Sequence, residues 1–418
     1  MEKSNLDINI FNNITVYDDN LSDFDIIRSI IEKNNQEDAF YILNIEEIIK
    51  QHKKWFSMIP RVFPHYAIKC NPDNTIIRVL AALNGKFDCA TKQEIKQVLE
   101  AGVKNDRIIF ANPNKLPSHI KYAKKVGVST MTIDNAAEVL KIKEHYPDAK
   151  LVIRLAIDGK SCGMKFSEKF GCKPTTDVVK LINFIKKYEM YLRGFSFHLG
   201  SPCYDIDAFY YAIKLCNKFI QTARDMGFDE ANLIDIGGGM TGEDHDLFEK
   251  VAKSVNAALI DVDSSIEIIS EPGRYYVETA FTLATYIHSK KIKDDDGKLT
   301  RHYYINDGIF GSFIDKLYGV ERTPLPLLKT NGKKYKSVVW GQTCDSSDCV
   351  TSEAMIEELA IGQWMIWKNV GSYTVCLASN FNGFLPSAVL PIIRESAMKS
   401  FLEDIETLQG KNNDDNES

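Results

Sequence analysis

Residues 65–110 read HYAIKCNPDNTIIRVLAALNGKFDCATKQEIKQVLEAGVKNDRIIF, and this stretch decides the fold. The short apolar runs at His65–Ile68, Phe87–Ala90 and Ile108–Phe110 have the composition of buried strands, while Gln93–Glu100 has helical periodicity. Strands that alternate with helices are typical of a parallel sheet with helical crossover connections. The stretch therefore predicts repeated βα units.

The same alternation continues along the chain to about residue 285. Five more candidate strands follow the first three, at Met131–Ile133, Leu151–Leu155, Leu192–His198, Leu233–Ile236 and Ile266–Ser270. Helical periodicity lies between them, for example in Ala136–His145 and Phe209–Met226. Eight such units in roughly 250 residues match the size and repetition of a (β/α)8 TIM barrel. We therefore predict an α/β fold with this barrel over residues 40–285.

The sequence after Arg274 has a different texture, with β-branched and alternating segments punctuated by Gly, Pro and Asn. The candidate strands there are Tyr276–Ser289, His302–Asn306, Ser337–Trp340, Trp364–Lys368 and Tyr373–Ala378. They predict a second, mainly β domain made of residues 1–39 plus 286–410, to which Asn9–Tyr17 adds a strand. Residues 411–418 are polar and predict a disordered tail.

Composition argues against several classes of protein. The chain has 418 residues, a formal net charge of -6 and dispersed Lys and Arg residues, so neither nucleic acid nor an anionic membrane is an expected partner. Its nine cysteines show no paired framework and no metal-binding spacing, which favours reduced thiols, a cytoplasmic location and no metal site. The N-terminus lacks an apolar signal core, and no apolar stretch is long enough to span a membrane.

Reactive or permissive residues close several of the predicted barrel strands. They are Lys69, Asp88, Arg154, His198, the glycines Gly237, Gly238 and Gly239, and Glu271. Each one alone has an ordinary explanation, such as a solvated lysine, a buried histidine or a tight turn. Because active sites of TIM barrels lie at the carboxyl ends of the strands, the set as a whole predicts an active site at that edge.

The chemistry of this set fits pyridoxal phosphate. Lys69 leaves an apolar strand, where desolvation lowers the pKa of an amine and allows it to form a Schiff base with an aldehyde. The glycine triplet offers backbone N–H groups, and Arg274 offers a bidentate partner for a phosphate dianion. Glu271 could keep a pyridine nitrogen protonated, and His198 could stack on the ring.

Seven segments together resemble the signature segments of the eukaryotic ornithine decarboxylases, in the same order and over nearly the whole chain. They are Tyr66–Asn71, Phe87–Ala90, Phe197–Ser201, Asp235–Gly239, Glu271–Tyr276, Trp340–Asp345 and Tyr373–Val375. That family belongs to the alanine-racemase-like pyridoxal-phosphate enzymes, which combine a barrel with a β domain. The resemblance implies decarboxylation of L-ornithine to putrescine and carbon dioxide in polyamine biosynthesis.

The resemblance also implies a role for individual residues. Lys69 would carry the cofactor, Glu271 would face the pyridine nitrogen, His198 would stack on the ring, and Cys344 would protonate the substrate α-carbon. The cofactor-binding residues it implies are Lys69, Asp88, Arg154, His198, Ser201, Gly238, Gly239, Glu271, Gly273, Arg274 and Tyr373. The family is an obligate homodimer in which Cys344, Asp345 and the Tyr318 region reach into the partner's barrel, and Lys169 and Asp348 match a pair across that interface.

One position departs from the family pattern. The family holds the distal amine of ornithine between two acidic residues, one matching Asp345 and one directly after Tyr318, where this chain has Gly319. Glu321 is a nearby acid that could compensate. Decarboxylases of lysine, arginine or diaminopimelate therefore stay open as alternatives, as does a non-catalytic homologue like the antizyme inhibitor. The retained Lys69 and Cys344 favour an enzyme, whereas regulation by an antizyme-type partner cannot be derived.

Overall fold

The computed structural model describes residues 13–330 and 332–417 and divides into two compact units. One unit is Ile49–Tyr276, and the other combines Met1–Ile48 with Val277–Ser418. The division lies inside the boundaries predicted at residues 40 and 285. The reason is that Phe40–Asn44 pairs with the beginning of Phe281–Asp295, so both segments belong to the β unit rather than to the barrel.

The unit Ile49–Tyr276 contains the predicted barrel. Eight parallel strands close on themselves because the last, Glu267–Ser270, pairs with the first, Val62–Ala67. In chain order they are Val62–Ala67, Lys86–Cys89, Ile108–Phe110, Thr130–Ile133, Lys150–Leu155, Tyr191–Phe197, Leu233–Asp235 and Glu267–Ser270. We refer to them as the first to eighth barrel strands. The prediction of a (β/α)8 barrel is confirmed, and all eight strands lie where the sequence indicated.

A helix follows each of the first seven barrel strands. These helices are Asn74–Ala82, Lys92–Glu100, Pro117–Val126, Ala136–His145, Thr176–Lys187, Ile206–Asp225 and His245–Leu259. Ile45–Met58 precedes the first strand, and the short helix Arg274–Val277 follows the eighth. Six of the seven helices that follow barrel strands begin after an Asp, Asn or Thr whose side chain accepts a hydrogen bond from a backbone N–H of the first turn. Such an N-cap stabilises a helix by about 1 kcal/mol. The caps are Asp73, Thr91, Asn135, Thr175, Asp205 and Asp244.

Apolar side chains pack the inside of the barrel. Ile109, Val152, Leu233 and Ile269 form one buried cluster contributed by four different strands. The carboxyl ends of the strands, by contrast, carry polar residues such as Asp88, Arg154 and Asp235. A two-stranded antiparallel ribbon, Cys162–Met164 with Ser201–Cys203, extends the loops at this end.

The other unit is built on one nine-stranded sheet. Its strands are Thr15–Tyr17, Phe40–Asn44, Phe281–Asp295, Lys298–Ile305, Leu325–Pro326, Lys334–Trp340, Cys349–Glu357, Trp364–Trp367 and Ala388–Arg394. The helix Asp23–Asn34 packs Ile26, Ile27 and Ile30 against it, in a core that includes Trp364. A second, mainly β domain is therefore confirmed, and the N-terminal strand pairs in parallel with Ala388–Arg394. Residues 9–12 of the predicted N-terminal strand lie outside the described residues.

Three predictions for this unit differ from the structure. Tyr373–Ala378 is not a strand: Tyr373 has a φ of 54° and a 3-10 turn follows at Val375–Leu377, which breaks any extended ladder. The strands Cys349–Glu357 and Ala388–Arg394 were missed. The last helix, Glu395–Glu417, runs through most of the predicted disordered tail. Residue 418 lies outside the described part of the chain.

Among the described helices, none combines the length and the apolar character that crossing a membrane requires.

Candidate active site

The predicted site residues of the barrel unit all lie at the carboxyl ends of its strands. Lys69 lies in the 3-10 turn Ile68–Cys70 directly after the first strand, and Asp88 lies within the second. Arg154 is near the end of the fifth strand, and His198 follows the sixth. Gly238 and Gly239 follow the seventh strand, and Glu271, Gly273 and Arg274 follow the eighth. The fold therefore brings these residues to one edge.

Lys69 and Asp88 form a direct ion pair inside the barrel end. The distance from Lys69 Nζ to Asp88 Oδ2 is 2.5 Å, and the Asp88 side chain is fully buried while that of Lys69 is 40% exposed. The other carboxylate oxygen of Asp88 and the hydroxyl of Ser196 are buried with no hydrogen-bond partner among the described residues. Polar atoms of this kind are costly to leave unsatisfied, so the barrel end is suited to a polar ligand.

Asp235 and Glu271 form a pair of buried acidic residues. Asp235 ends the seventh barrel strand and Glu271 follows the eighth, and their side chains hydrogen-bond to each other. Burial raises the pKa of Glu271 well above its usual value, and the neighbouring charge of Asp235 raises it further. Burial raises the pKa of Asp235 to about 6. One of the two carboxyl groups therefore keeps a proton at neutral pH.

His198 is electrically neutral in this environment. Burial, followed by the positive charges of Arg154 and Lys69, lowers the pKa of His198 well below its usual value. The His198 and Phe166 rings meet in a T-shaped contact, with ring centroids 4.8 Å apart and planes at 87°. A neutral imidazole can lie against an aromatic ring without adding a buried charge, which suits the predicted stacking role.

The glycine triplet lies in a loop that leaves no room for side chains. A Cβ atom on Gly238 would come within 2.6 Å of the Glu271 carbonyl oxygen, and one on Gly239 within 2.2 Å of the Gly200 carbonyl oxygen. Gly239 also has a φ of +97°, which side-chain-bearing residues rarely adopt. The loop can therefore present bare backbone to a phosphate group, as the sequence predicts.

The neighbouring loops bring in the remaining predicted barrel residues. Ser201 is buried and begins the short strand Ser201–Cys203, and the Cys203 N–H donates to the Gly239 carbonyl oxygen. Gly273 lies against Cys70: a Cβ atom added at position 273 would come within 2.7 Å of the Cys70 Cβ atom. Arg274 begins the short helix after the eighth strand. These contacts tie the predicted phosphate-binding residues to the turn that carries Lys69.

All but one of the other predicted site residues belong to the β unit; the exception, Lys169, lies in the barrel unit. Cys344 and Asp345 lie on an exposed loop, and the Cys344 N–H donates to Asn382 Oδ1 at 3.1 Å. Hydrogen bonds from the hydroxyl and N–H of Ser347 hold the pKa of Asp345 below its usual range. Tyr318 ends the 3-10 turn Ile314–Tyr318 and is 61% exposed. Tyr373 is half-buried in a left-handed backbone conformation.

Asp348 has a structural role that the sequence did not indicate. Its carboxylate is buried and accepts hydrogen bonds from Ile309 N–H at 2.8 Å, Thr343 N–H at 3.0 Å and Thr343 hydroxyl at 2.7 Å. It therefore shapes the loop that carries Cys344. Lys169 is exposed and lies over the Phe170 ring, with Nζ 5.0 Å from the centroid. Pairing of Lys169 with Asp348 of a partner stays a prediction.

Sequence reasoning missed Asp235. It lies two residues before the glycine triplet, and the sequence motif alone indicates no role for it. The rule used for the other residues would have found it, because Asp235 is a polar residue at the end of a barrel strand. The adjacent glycines drew attention instead.

The barrel unit fits a pyridoxal cofactor on its own residues. It combines the Lys69 amine, a glycine loop without side chains, a neutral His198 and a buried Glu271. The amine matches the aldehyde of the cofactor and the glycine loop matches its phosphate. The imidazole matches the face of its ring, and the buried acid matches its ring nitrogen.

Comparisons with known proteins point to the same chemistry. A family model described as "Pyridoxal-dependent decarboxylase, pyridoxal binding domain" matches residues 45–278. The chain is 39% identical over 381 residues to ornithine decarboxylase 2 of Drosophila melanogaster. The aligned region covers 89% of this chain and 95% of that protein. It is also 37% identical over 396 residues to antizyme inhibitor 2 of Xenopus laevis, covering 90% and 86%.

The solved structures that resemble this chain include the arginine decarboxylase of Paramecium bursaria Chlorella virus. The TM-score is 0.84 at 30% identity, with 88% of this chain and 100% of that chain covered. The similarity therefore extends across both units.

Replacing Lys69 should abolish covalent attachment of the cofactor. A protonated Schiff base between Lys69 and pyridoxal phosphate should absorb at about 420 nm, and Lys69→Ala should lose that band. Lys69→Arg, which keeps a positive charge next to Asp88, should lose it as well. The exposed Lys121→Ala variant serves as the control and should retain it. Absorbance titration of purified protein measures the effect, and a persistent band in Lys69→Ala would show that another amine binds the aldehyde.

Proposed function

The chain belongs to the pyridoxal-dependent decarboxylase family, and from that premise we propose that it decarboxylates L-ornithine to putrescine and carbon dioxide. The observation that carries the proposal is the cluster of Lys69, Asp88, His198 and Glu271 at one end of the barrel. Similarity to an ornithine decarboxylase over most of both chains supports ornithine as the substrate.

Pyridoxal phosphate, when bound, supplies an aldehyde that takes up the substrate amine and a ring that accepts the electrons of the broken bond. The residues of this chain bind and orient it. In the proposal Lys69 provides the attachment point, and Asp88 positions the Lys69 amine through their ion pair. Ser201, Gly238, Gly239, Gly273, Arg274 and Tyr373 hold the phosphate end, and Arg154 completes the polar surround.

His198 and Glu271 are proposed to interact with different parts of the cofactor ring. The low pKa of His198 keeps its imidazole neutral, so it can pack against the ring without competing for electrons. Glu271 is proposed to face the ring nitrogen and to keep a proton there, which makes the ring a better electron acceptor. Its burial strengthens that interaction, because charges attract more strongly where water is excluded.

Cys344 is proposed as the proton donor to the substrate α-carbon, through its Sγ. It is exposed on its own unit and lies on a loop anchored by Asp348 and Asn382. A surface thiol is an unusual setting for a proton donor unless a second surface covers it.

We propose that the chain works as a homodimer in which Cys344, Asp345 and the Tyr318 region complete the site of the partner. The segment around Asn382 exposes large apolar side chains: Phe381 is 41% exposed, Phe384 38% and Leu385 79%. The hydrogen bond between Cys344 and Asn382 places this apolar segment next to the proposed proton donor. Contiguous exposed apolar groups are typical of protein interfaces, and a second copy would cover them.

A cytoplasmic location and a place in polyamine biosynthesis complete the proposal. Diamine production from a free amino acid needs no membrane, and the expected partners are a basic amino acid and a second copy of this chain. Two alternatives remain distinct outcomes of the experiments. One is a decarboxylase of lysine, arginine or diaminopimelate, and the other is a non-catalytic regulator like the antizyme inhibitor of Xenopus.

The distal pocket is the point at which the substrate is decided. Gly319 has a φ of +84° and open space around the position of a Cβ atom. Glu321, the acid that could compensate, is 68% exposed and paired with Lys316. Asp315 is nearly buried and paired with Arg322 at 2.5 Å. Both nearby acids already have cationic partners, so we expect Asp345 to bind the distal ammonium with little help.

Carbon dioxide release should identify the substrate. Purified protein with pyridoxal phosphate should release labelled carbon dioxide from L-ornithine with a higher kcat/KM than from lysine, arginine or diaminopimelate. The reason is that the site combines decarboxylase chemistry with an acid for a distal amine. Cys344→Ala should slow the release from ornithine. A higher kcat/KM with another amino acid would identify that amino acid as the substrate. Cofactor binding without any release of carbon dioxide would favour a non-catalytic regulator.

Restoring an acid at position 319 should strengthen ornithine binding. A charge-assisted hydrogen bond to an ammonium group contributes about 1.5 to 3 kcal/mol, so Gly319→Asp should lower KM for ornithine by about ten-fold or more relative to Gly319→Asn. Asn is the matched control because it tolerates the left-handed backbone to a similar degree but carries no charge. Steady-state kinetics on both variants measures the effect. Equal KM values would mean that position 319 does not face the distal amine.

Mixing two inactive variants should restore activity if sites are shared. A heterodimer of Lys69→Ala and Cys344→Ala chains has one site with both defects and one with neither. Random exchange of subunits should therefore return about a quarter of the wild-type activity. Activity after mixing, with sedimentation to confirm dimers, measures it. Dimers that exchange subunits but stay inactive would place Cys344 in the site of its own chain.

A further inference from the structure

Two buried carboxyl groups meet across neighbouring barrel strands. Asp235 is 1% exposed and Glu271 is 9% exposed. The strands that carry them are parallel neighbours, with Asp235 in register with Ile269, two residues before Glu271. The two side chains hydrogen-bond to each other. Because an ionised carboxylate can only accept hydrogen bonds, this contact requires a proton on one of the two.

We propose that Asp235 is a positioning residue for Glu271, and that the two carboxyl groups hold one shared proton that is available to the pyridine nitrogen of the cofactor. The inference deepens the proposed function and rests on it, because it takes Glu271 as the residue that faces this nitrogen. When the cofactor binds, the O–H bond of Glu271 breaks, an N–H bond forms, and Asp235 remains ionised. One proton moves and no electrons are exchanged with another molecule.

The surroundings of the pair decide which carboxyl group is ionised. Asp235 Oδ1 accepts the Gly237 N–H at 2.8 Å, and the positive charge of Arg154 favours its ionised form. Against burial, these interactions limit the rise of its pKa to about 6. The pKa of Glu271 is raised well above its usual value by burial and then by the charge of Asp235. The proton of the pair is therefore favoured on Glu271 and the negative charge on Asp235.

Charged and titratable groups from other strands also face the pair. Asp88, on the second strand, raises the pKa of both carboxyl groups, whereas Lys69, after the first strand, lowers that of Glu271. Arg154, on the fifth strand, lowers that of Asp235, and His198, after the sixth, stays neutral. Loss of the proton from Glu271 would add a second negative charge beside Asp235 and Asp88. A cationic ring nitrogen would compensate for that charge.

Asp235 also connects this proton to the glycine loop. The Gly237 N–H donates to Asp235, while the Gly237 carbonyl oxygen accepts from the Glu271 N–H at 2.8 Å and from the Ser270 hydroxyl at 2.6 Å. The same short segment thus holds both carboxyl groups. The Ser270 hydroxyl holds the same loop through its hydrogen bond to Gly237, but it does not titrate near neutral pH. Position 270 is therefore a suitable control.

Proton counting on the full-length chain tests the proposal. Pyridoxal phosphate is titrated into the cofactor-free protein at pH 7 by calorimetry, in buffers of different ionisation enthalpy, to count protons released or taken up. In Asp235→Asn the amide can still accept from Gly237 and donate to Glu271, and loss of the Asp235 charge favours ionisation of Glu271 before binding. The variant should release about one proton fewer per chain than the wild type. Ser270→Ala should match the wild type.

The outcomes separate the inference from the proposed function. Equal proton counts for wild type and Asp235→Asn would overturn the inference, and so would a Ser270→Ala count that matched Asp235→Asn. If the wild type bound no cofactor, the proposed function itself would fail. If Asp235→Asn did not fold, infrared spectra of the wild type would decide. A protonated-carboxyl band in the cofactor-free chain should disappear on loading, and its persistence or initial absence would overturn the inference.

Discussion

Closure of the parallel barrel is the constraint on which the rest of the structure depends. Pairing of the eighth strand with the first brings residues that are far apart in the sequence to one edge. Because all strands run in the same direction, every carboxyl end opens toward that edge. Lys69, Asp88, His198 and Glu271 become neighbours through this geometry alone. The apolar side chains below them exclude water from the floor of the site.

Exclusion of water makes the charges of the site depend on one another. The same burial that raises the pKa of Glu271 lowers that of His198, so one group keeps a proton and the other loses it. Lys69 has a fully buried counter-ion in Asp88. An acid that stays protonated and a histidine that stays neutral are what a site needs to hold an aromatic ring with a basic nitrogen.

The β unit contributes a different kind of functional surface. Its proposed catalytic residues lie on exposed loops, and their backbone is held by buried groups behind them, above all Asp348. Rigid support beneath an exposed thiol and an exposed carboxylate is suited to a surface that serves a second copy. In the proposal the barrel unit binds the cofactor, whereas the loop around Gly319, which is proposed to influence substrate preference, lies in the β unit.

The sequence alone determined the barrel, the mainly β second domain and which polar residues lie at the ends of the barrel strands, because strand periodicity and the position of a residue at a strand end are local properties. Tertiary structure decided what depends on pairing and burial. Phe40–Asn44 joined the β sheet because its partner lies at Phe281–Asp295. Tyr373 left the extended region, and Asp348 became a buried anchor. Asp235 lies beside Glu271 because the seventh and eighth strands pair in the closed barrel, which buries both carboxyl groups.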